Sequence, residues 1–228
     1  CALPICYYNY AKGHDPDFPG RERFAGRIVH PQHWTDDIAY AGKRVVVIGS
    51  GATAVTLVPE LARDAAHVTM LQRSPTYMVS RPSVDALANR LRRWLPTRLA
   101  YALTRWKNVL FGMYFFNLCR SKPELAKQGL IKLVREQLGP DYDVASHFTP
   151  RYSPWEQRLC LVPDGDLFKA IRDKQASVVT SEIDTFTAKG IRLKDGSELE
   201  ADIIEPAEHL QHQPGRGHDD VGLEFAAV

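Results

Sequence analysis

An α/β fold of the Rossmann type, a parallel sheet carrying a β-meander and a helical insertion, is predicted by three stretches of this chain. The first is Arg44-Val45-Val46-Val47-Ile48, a run of β-formers that enters the turn Gly49-Ser50-Gly51-Ala52-Thr53-Ala54. Ala54, Val55, Val58, Leu61 and Ala62 then recur at helical spacing, so strand, tight turn and helix follow in order. The second is another apolar strand, His67 to Gln72. The third is residues 177–204, which alternate in a β manner around Asp195-Gly196, a hairpin signal. At 228 residues with 44% hydrophobic content, the chain is long enough for one large domain or two small ones. A net charge of +2 excludes bulk nucleic-acid electrostatics, and no nucleic-acid partner is expected.

Residues 1–20 are aromatic and turn-rich, and Asp15-Pro16-Asp17-Phe18-Pro19-Gly20 forbids a helix. Phe24, Gly26, His30 and Trp34 then form the spacing Phe-x-Gly-x-x-x-His-x-x-x-Trp. The Gly-x-Gly-x-x-Ala turn that follows is suited to a dinucleotide. Gly49 makes the turn, Gly51 lets backbone approach a diphosphate without a Cβ in the way, and the small Ala54 lets helix and strand pack closely. The helix start adds unsatisfied N–H groups and the positive end of a dipole. The expected helix covers residues 52–64, with Pro59 kinking it or thinning its hydrogen bonds.

Arg73 and Ser74 end the second strand, about 20 residues beyond the glycines, where an NAD site usually places a carboxylate. A guanidinium there favours a 2′-phosphate, and a hydrogen bond to a charged group contributes roughly 1.5–3 kcal/mol. NADP(H) is therefore the expected nucleotide. The cofactor-binding set is Gly49, Ser50, Gly51, Thr53, Ala54, Arg73 and Ser74. The alternative for Arg73 is a solvated arginine at a strand end.

Residues 84–138 change character. Helical segments break at Pro96 and restart at Pro123, and arginines (Arg92, Arg93, Arg98, Arg105) alternate with Trp94, Tyr101, Trp106 and Phe111. One reading is a helical lid, and another is a helix lying on a membrane surface. The longest apolar run, Val109 to Cys119, is too short to span a bilayer. In residues 147–172, Pro150 and Pro154 stiffen a loop presenting Arg158. The alternative for Arg158 is an ion pair with Glu156 or Asp164. Asp166 to Ile171 should be a short helix capped by Asp164 or Asp166. The strands expected next are 177–180, 183–187, 191–194 and 198–204. After Ile204 the sequence Glu205-Pro206-Ala207-Glu208-His209 turns polar and is not strand-like. His209, His212 and His218 have no partner carboxylates at ligand spacing, and no metal site is expected. Four cysteines show neither metal spacing nor a disulfide framework, which fits a cytoplasmic setting.

The Phe24-Gly26-His30-Trp34 spacing, the glycine turn close behind it and the Gln72-Arg73-Ser74-Pro75-Thr76-Tyr77 run together resemble the Baeyer–Villiger monooxygenases, within the wider flavin-containing monooxygenases. The closest flavour is the mycobacterial ethionamide-activating type. The resemblance implies an FAD domain interrupted by an NADP domain, with NADPH reducing the flavin and oxygen delivered to a ketone or a sulfide-type heteroatom. It implies that His30 and Trp34 lie on the linker between domains and couple nicotinamide binding to domain orientation. It also implies that Arg158 is catalytic, a fixed cation beside the flavin and nicotinamide. Departures are Thr35 after the tryptophan and Gln157 where relatives carry lysine.

The expected organisation is a linker and residual flavin-domain segment (1–40), a first NADP-binding part (41–83), the helical insertion (84–146), a second NADP-binding part (147–204) and a divergent tail (205–228). No second Gly-x-Gly-x-x-Gly for FAD occurs in this chain. The expectation is thus a fragment bounded by truncation or a reading-frame change, belonging to an NADPH- and FAD-dependent monooxygenase but not competent by itself. The alternatives are an NADP-binding module without activity, and a membrane-surface or interaction protein.

Overall fold

The computed structural model describes residues 16–35 and 37–206. The aromatic run Cys6 to Tyr10 and the tail histidines His209, His212 and His218 lie outside them. Strand β1 (Arg27–Ile28) is followed by a one-turn 3-10 helix at Pro31–His33, then β2 (Arg44–Ile48), helix α1 (Ala52–Leu61), β3 (His67–Gln72) and β4 (Tyr77–Arg81). The insertion comprises α2 (Ala86–Trp94), α3 (Thr97–Ser121) and α4 (Pro123–Leu138), followed by α5 (Val144–Phe148). The chain then forms β5 (Leu159–Pro163), α6 (Asp166–Arg172), β6 (Ala176–Thr180), β7 (Ile183–Thr187), β8 (Gly190–Leu193), β9 (Glu198–Glu200) and β10 (Ile203–Pro206).

Five strands form the central parallel sheet in the order β1-β10-β2-β3-β6. Strand pleating sends alternate residues to opposite faces. Val45, Val47 and Ile203 join the core with α1, α4, α5 and α6, through Val55, Val58, Leu138, Phe148 and Phe168. Val46, Ile48 and Ile204 point the other way, onto Phe186, Ile191 and Leu193 of the antiparallel meander β7-β8-β9. Burial on both faces explains why β2 reads as a continuous apolar run rather than an alternating one.

Several expectations change. Helix α1 stops at Leu61, not at residue 64, and Pro59 sits buried in its last turn. The stretch 198–204 is two strands: β9 ends the meander at Glu200, and the chain crosses at Ala201-Asp202 into β10. β10 does not end at Ile204. Glu205 and Pro206 continue it, paired in register with Val47 and Ile48. Helix α6 is capped by neither aspartate. Its N-cap is Gly165 in the left-handed region, while the Asp164 carboxylate accepts from the Ser83 amide at 2.9 Å. β4 went unread in the sequence, and it pairs with β5 in a separate two-stranded parallel sheet.

The insertion breaks at Pro96 and Pro123, as expected. Among the described residues no helix is long and apolar enough to cross a membrane.

Candidate nucleotide-binding site

The site is built at the carboxyl end of β2. Gly49 takes a φ of 130°, a conformation that L side chains rarely adopt, and its amide donates to Leu71 of β3 at 2.7 Å. Gly51 is the N-cap of α1, and no side chain caps that end, so the first-turn amides remain available to an anion. A Cβ on Gly51 would come within 3.4 Å of an Arg158 guanidinium nitrogen. The arginine thus lies within ordinary contact distance of the helix start.

A cleft of about 290 Å³ opens over this turn. Gly49, Ser50, Arg73, Ser74 and Arg158 all line it, together with Ser181, Glu182 and Phe18. The structure therefore brings five of the expected site residues to one place. Gly51, Thr53 and Ala54 do not line it. Ala54 is fully buried in the core, where its small size lets α1 lie close on the sheet.

The Phe24, Gly26, His30 and Trp34 motif is also elsewhere. Phe24 packs edge-on against Phe186, in the core under the meander. A Cβ on Gly26 would lie 2.4 Å from the Asp202 carbonyl and 2.5 Å from the Phe24 ring, so close packing demands glycine there. His30 is buried, and its Nδ1 accepts from the Gln32 amide at 3.2 Å, capping the 3-10 turn. Trp34 packs edge-on against Tyr40 and onto the main core.

Hydrogen bonds fix the loop that carries Arg158. Tyr77 donates to the Tyr152 carbonyl at 2.7 Å, and Tyr152 donates to the Arg158 carbonyl at 2.9 Å. Burial holds the Tyr152 phenol above its ordinary range and pushes that of Tyr77 up to about 12. Both therefore stay protonated donors at neutral pH. Trp155, at a φ of 70°, wedges between this loop and Phe115 and Phe116 of α3. Neither candidate ion-pair partner engages Arg158: Glu156 accepts from the Ser153 amide at 2.8 Å, and Asp164 is held by Ser83.

Sequence reasoning missed the supports of the turn. Ser50 and Thr76, both buried, share a hydroxyl hydrogen bond of 2.8 Å that ties the glycine turn to the start of β4. Gln72, also buried, donates to the His147 carbonyl at 2.7 Å and to Thr180 Oγ1 at 2.8 Å, fixing the strand ends from which Arg73 departs. Desolvation lowers the His147 pKa, which favours a neutral ring beside that hydroxyl. Glu182 was missed as well. It faces the cleft, but its ion pair with Lys194 and the nearby Arg73 depress its pKa and offset its charge. Thr76 stands in a run the sequence did single out. Gln72, His147 and Thr180 are far apart in the chain, and only the fold joins them.

Comparison with known proteins places this architecture. Residues 2–111 match the profile of the family described as FMO-like, flavin-binding monooxygenase-like. Over 208 residues the chain is 55% identical to the FAD-containing monooxygenase EthA of Mycobacterium tuberculosis, covering 91% of this chain and 42% of that protein. It is 51% identical, over 208 residues and the same shares, to the probable FAD-binding monooxygenase AlmA of Acinetobacter baylyi. The chain thus spans less than half the length of these relatives. Among solved structures, an oxidised steroid monooxygenase bound to NADP superposes with a TM-score of 0.65 at 23% identity, covering 86% of this chain and 44% of that one. The OTEMO complex with FAD and NADP gives 0.64 at 20% identity, covering 87% and 45%. At such identity the likeness concerns the fold. The chain is thus similar to the flavin-binding monooxygenase-like family, by the family's profile over residues 2–111 and by its FAD-containing relatives over 91% of its length.

Proposed function

We propose that this chain is the NADP-binding part of an NADPH- and FAD-dependent monooxygenase that oxygenates small ketones or sulfide-type substrates. We also propose that by itself it holds the nucleotide without completing the reaction. One observation carries this reading. The glycine turn at the end of β2, Arg73, Ser74 and Arg158 share one cleft at the open start of α1. Diphosphate oxygens would accept from the first-turn amides, where the helix dipole favours negative charge. Arg73 would form a fork on the 2′-phosphate, with Ser74 as a second donor. Arg158, a cation that cannot lose its proton, would orient the nicotinamide end and stabilise negative charge developing beside it. Bound flavin would supply the oxygen chemistry, and the protein's part is to position and shield it. Dependence on NADPH fits a cytoplasmic enzyme.

Isothermal titration calorimetry tests the reading. The purified chain should bind NADPH more tightly than NADH. Arg73→Ala should weaken NADPH by about tenfold or more, the loss of one charged hydrogen bond, and leave NADH nearly unchanged. Equal losses for both nucleotides would remove Arg73 from its role. A visible spectrum after adding FAD would show whether the chain retains flavin.

A further inference from the structure

Helix α3 is apolar over most of its circumference yet lies on the surface. Of its 25 residues only Ala100 and Cys119 are buried. Helices of this composition are normally covered. Leu99, Leu103, Trp106, Leu110 and Met113 follow alternating spacings of four and three, which aligns them in one outward stripe. They are 45–61% exposed, and Trp94 at the end of α2 is 82% exposed. The stripe is flanked by positive charge of a single sign. Between Asp85 and Glu124 there is no Asp or Glu, while Arg90, Arg92, Arg93, Arg98, Arg105 and Arg120 are all exposed. Among the described residues these six make no ion pair, and Arg105 bonds only the Tyr101 hydroxyl.

We propose that the α2–α3 face docks on an anionic lipid surface, with the stripe entering the headgroup boundary and the arginines on lipid phosphates. A second copy of this chain is the competing occupant, since such spacing also suits a helix–helix seam. Face-to-face association, however, would set one cationic stripe against another. Lipid phosphate complements it. At about 1.5 Å per residue, the stripe from Leu99 to Met113 runs roughly 21 Å along α3. Burial of its apolar side chains adds to the electrostatic attraction.

Vesicle co-sedimentation of the full chain tests this. At about 0.1 M salt it should bind vesicles containing about one-third phosphatidylglycerol but not pure phosphatidylcholine. Binding should vanish near 1 M salt, where the screening length falls from about 10 Å to about 3 Å. Arg98→Gln with Arg105→Gln should weaken binding roughly 30-fold, from the usual worth of two cations at such a surface. Tryptophan emission should shift to the blue on binding, and Trp94→Phe with Trp106→Phe should abolish that shift while binding persists. Equal binding to neutral vesicles, or a blue shift that survives the double replacement, would overturn the proposal. So would a dimer, or a longer form of the protein, that shields Trp94 and Trp106 without lipid.

Discussion

Glu205 allows the sharpest test of how this sheet is held together. It lies on β10 opposite Val47, fully buried, and the same pleat places Ile203 in the core beneath α1. Among the described residues neither carboxylate oxygen has a hydrogen-bond partner. Desolvation raises its pKa from 4.5 to about 8. A raised pKa in the folded state means that folded protein holds the proton where unfolded chain has lost it. The favourable state is complete below pH 4.5 and is lost as pH rises toward 8. The rise from 4.5 to about 8, at about 1.4 kcal/mol for each tenfold change in proton affinity, amounts to about 5 kcal/mol. Domains are stable by only about 5–15 kcal/mol, so this one side chain should dominate the alkaline limb. Glu205→Leu should thus add several kcal/mol at pH 8 and much less near pH 5. Urea denaturation of both proteins, followed by circular dichroism from pH 4.5 to 9, measures the difference and cancels the other titrating groups. A stability difference that does not vary with pH would refute the reasoning.

Two further outcomes follow from the geometry. Gly190→Ala would set a methyl 1.8 Å from the Leu199 carbonyl, so β8 and β9 must separate; a loss of about 3 kcal/mol should appear in the denaturation midpoint. Tyr77→Phe leaves the half-buried Tyr152 carbonyl without its donor, at a cost of about 1 kcal/mol. It should also weaken NADPH binding in calorimetry, because the Tyr77–Tyr152–Arg158 chain of hydrogen bonds is cut at its base.

The parts of the fold legible in the sequence are those whose signals are local. Arg44–Ile48, the glycine turn, His67–Gln72 and the proline-bounded helices each declare themselves within a dozen residues. What escaped depends on distant partners. Tyr77–Arg81 becomes a strand because Leu159–Pro163, some 80 residues on, lies beside it. Asp164 looks like a helix cap until Ser83 claims it. Glu205 and Pro206 read as polar linker, yet β2 draws them into the sheet. At the site, the cleft-lining Gly49, Ser50, Arg73 and Ser74 were legible from motif spacing. The Ser50–Thr76 and Gln72–Thr180 supports were not, because a buried hydroxyl or amide has no periodic signature.

The order β1-β10-β2 sets the schedule of synthesis. β1 cannot reach β2 directly, because the slot between them belongs to a strand that leaves the ribosome some 155 residues after β2. Until then, two strand edges with open amides and carbonyls stand exposed to solvent, and such edges recruit other chains. A nascent form of this protein should therefore depend on chaperones until residue 206 has emerged, and release halted short of residue 203 should yield aggregates rather than a smaller domain.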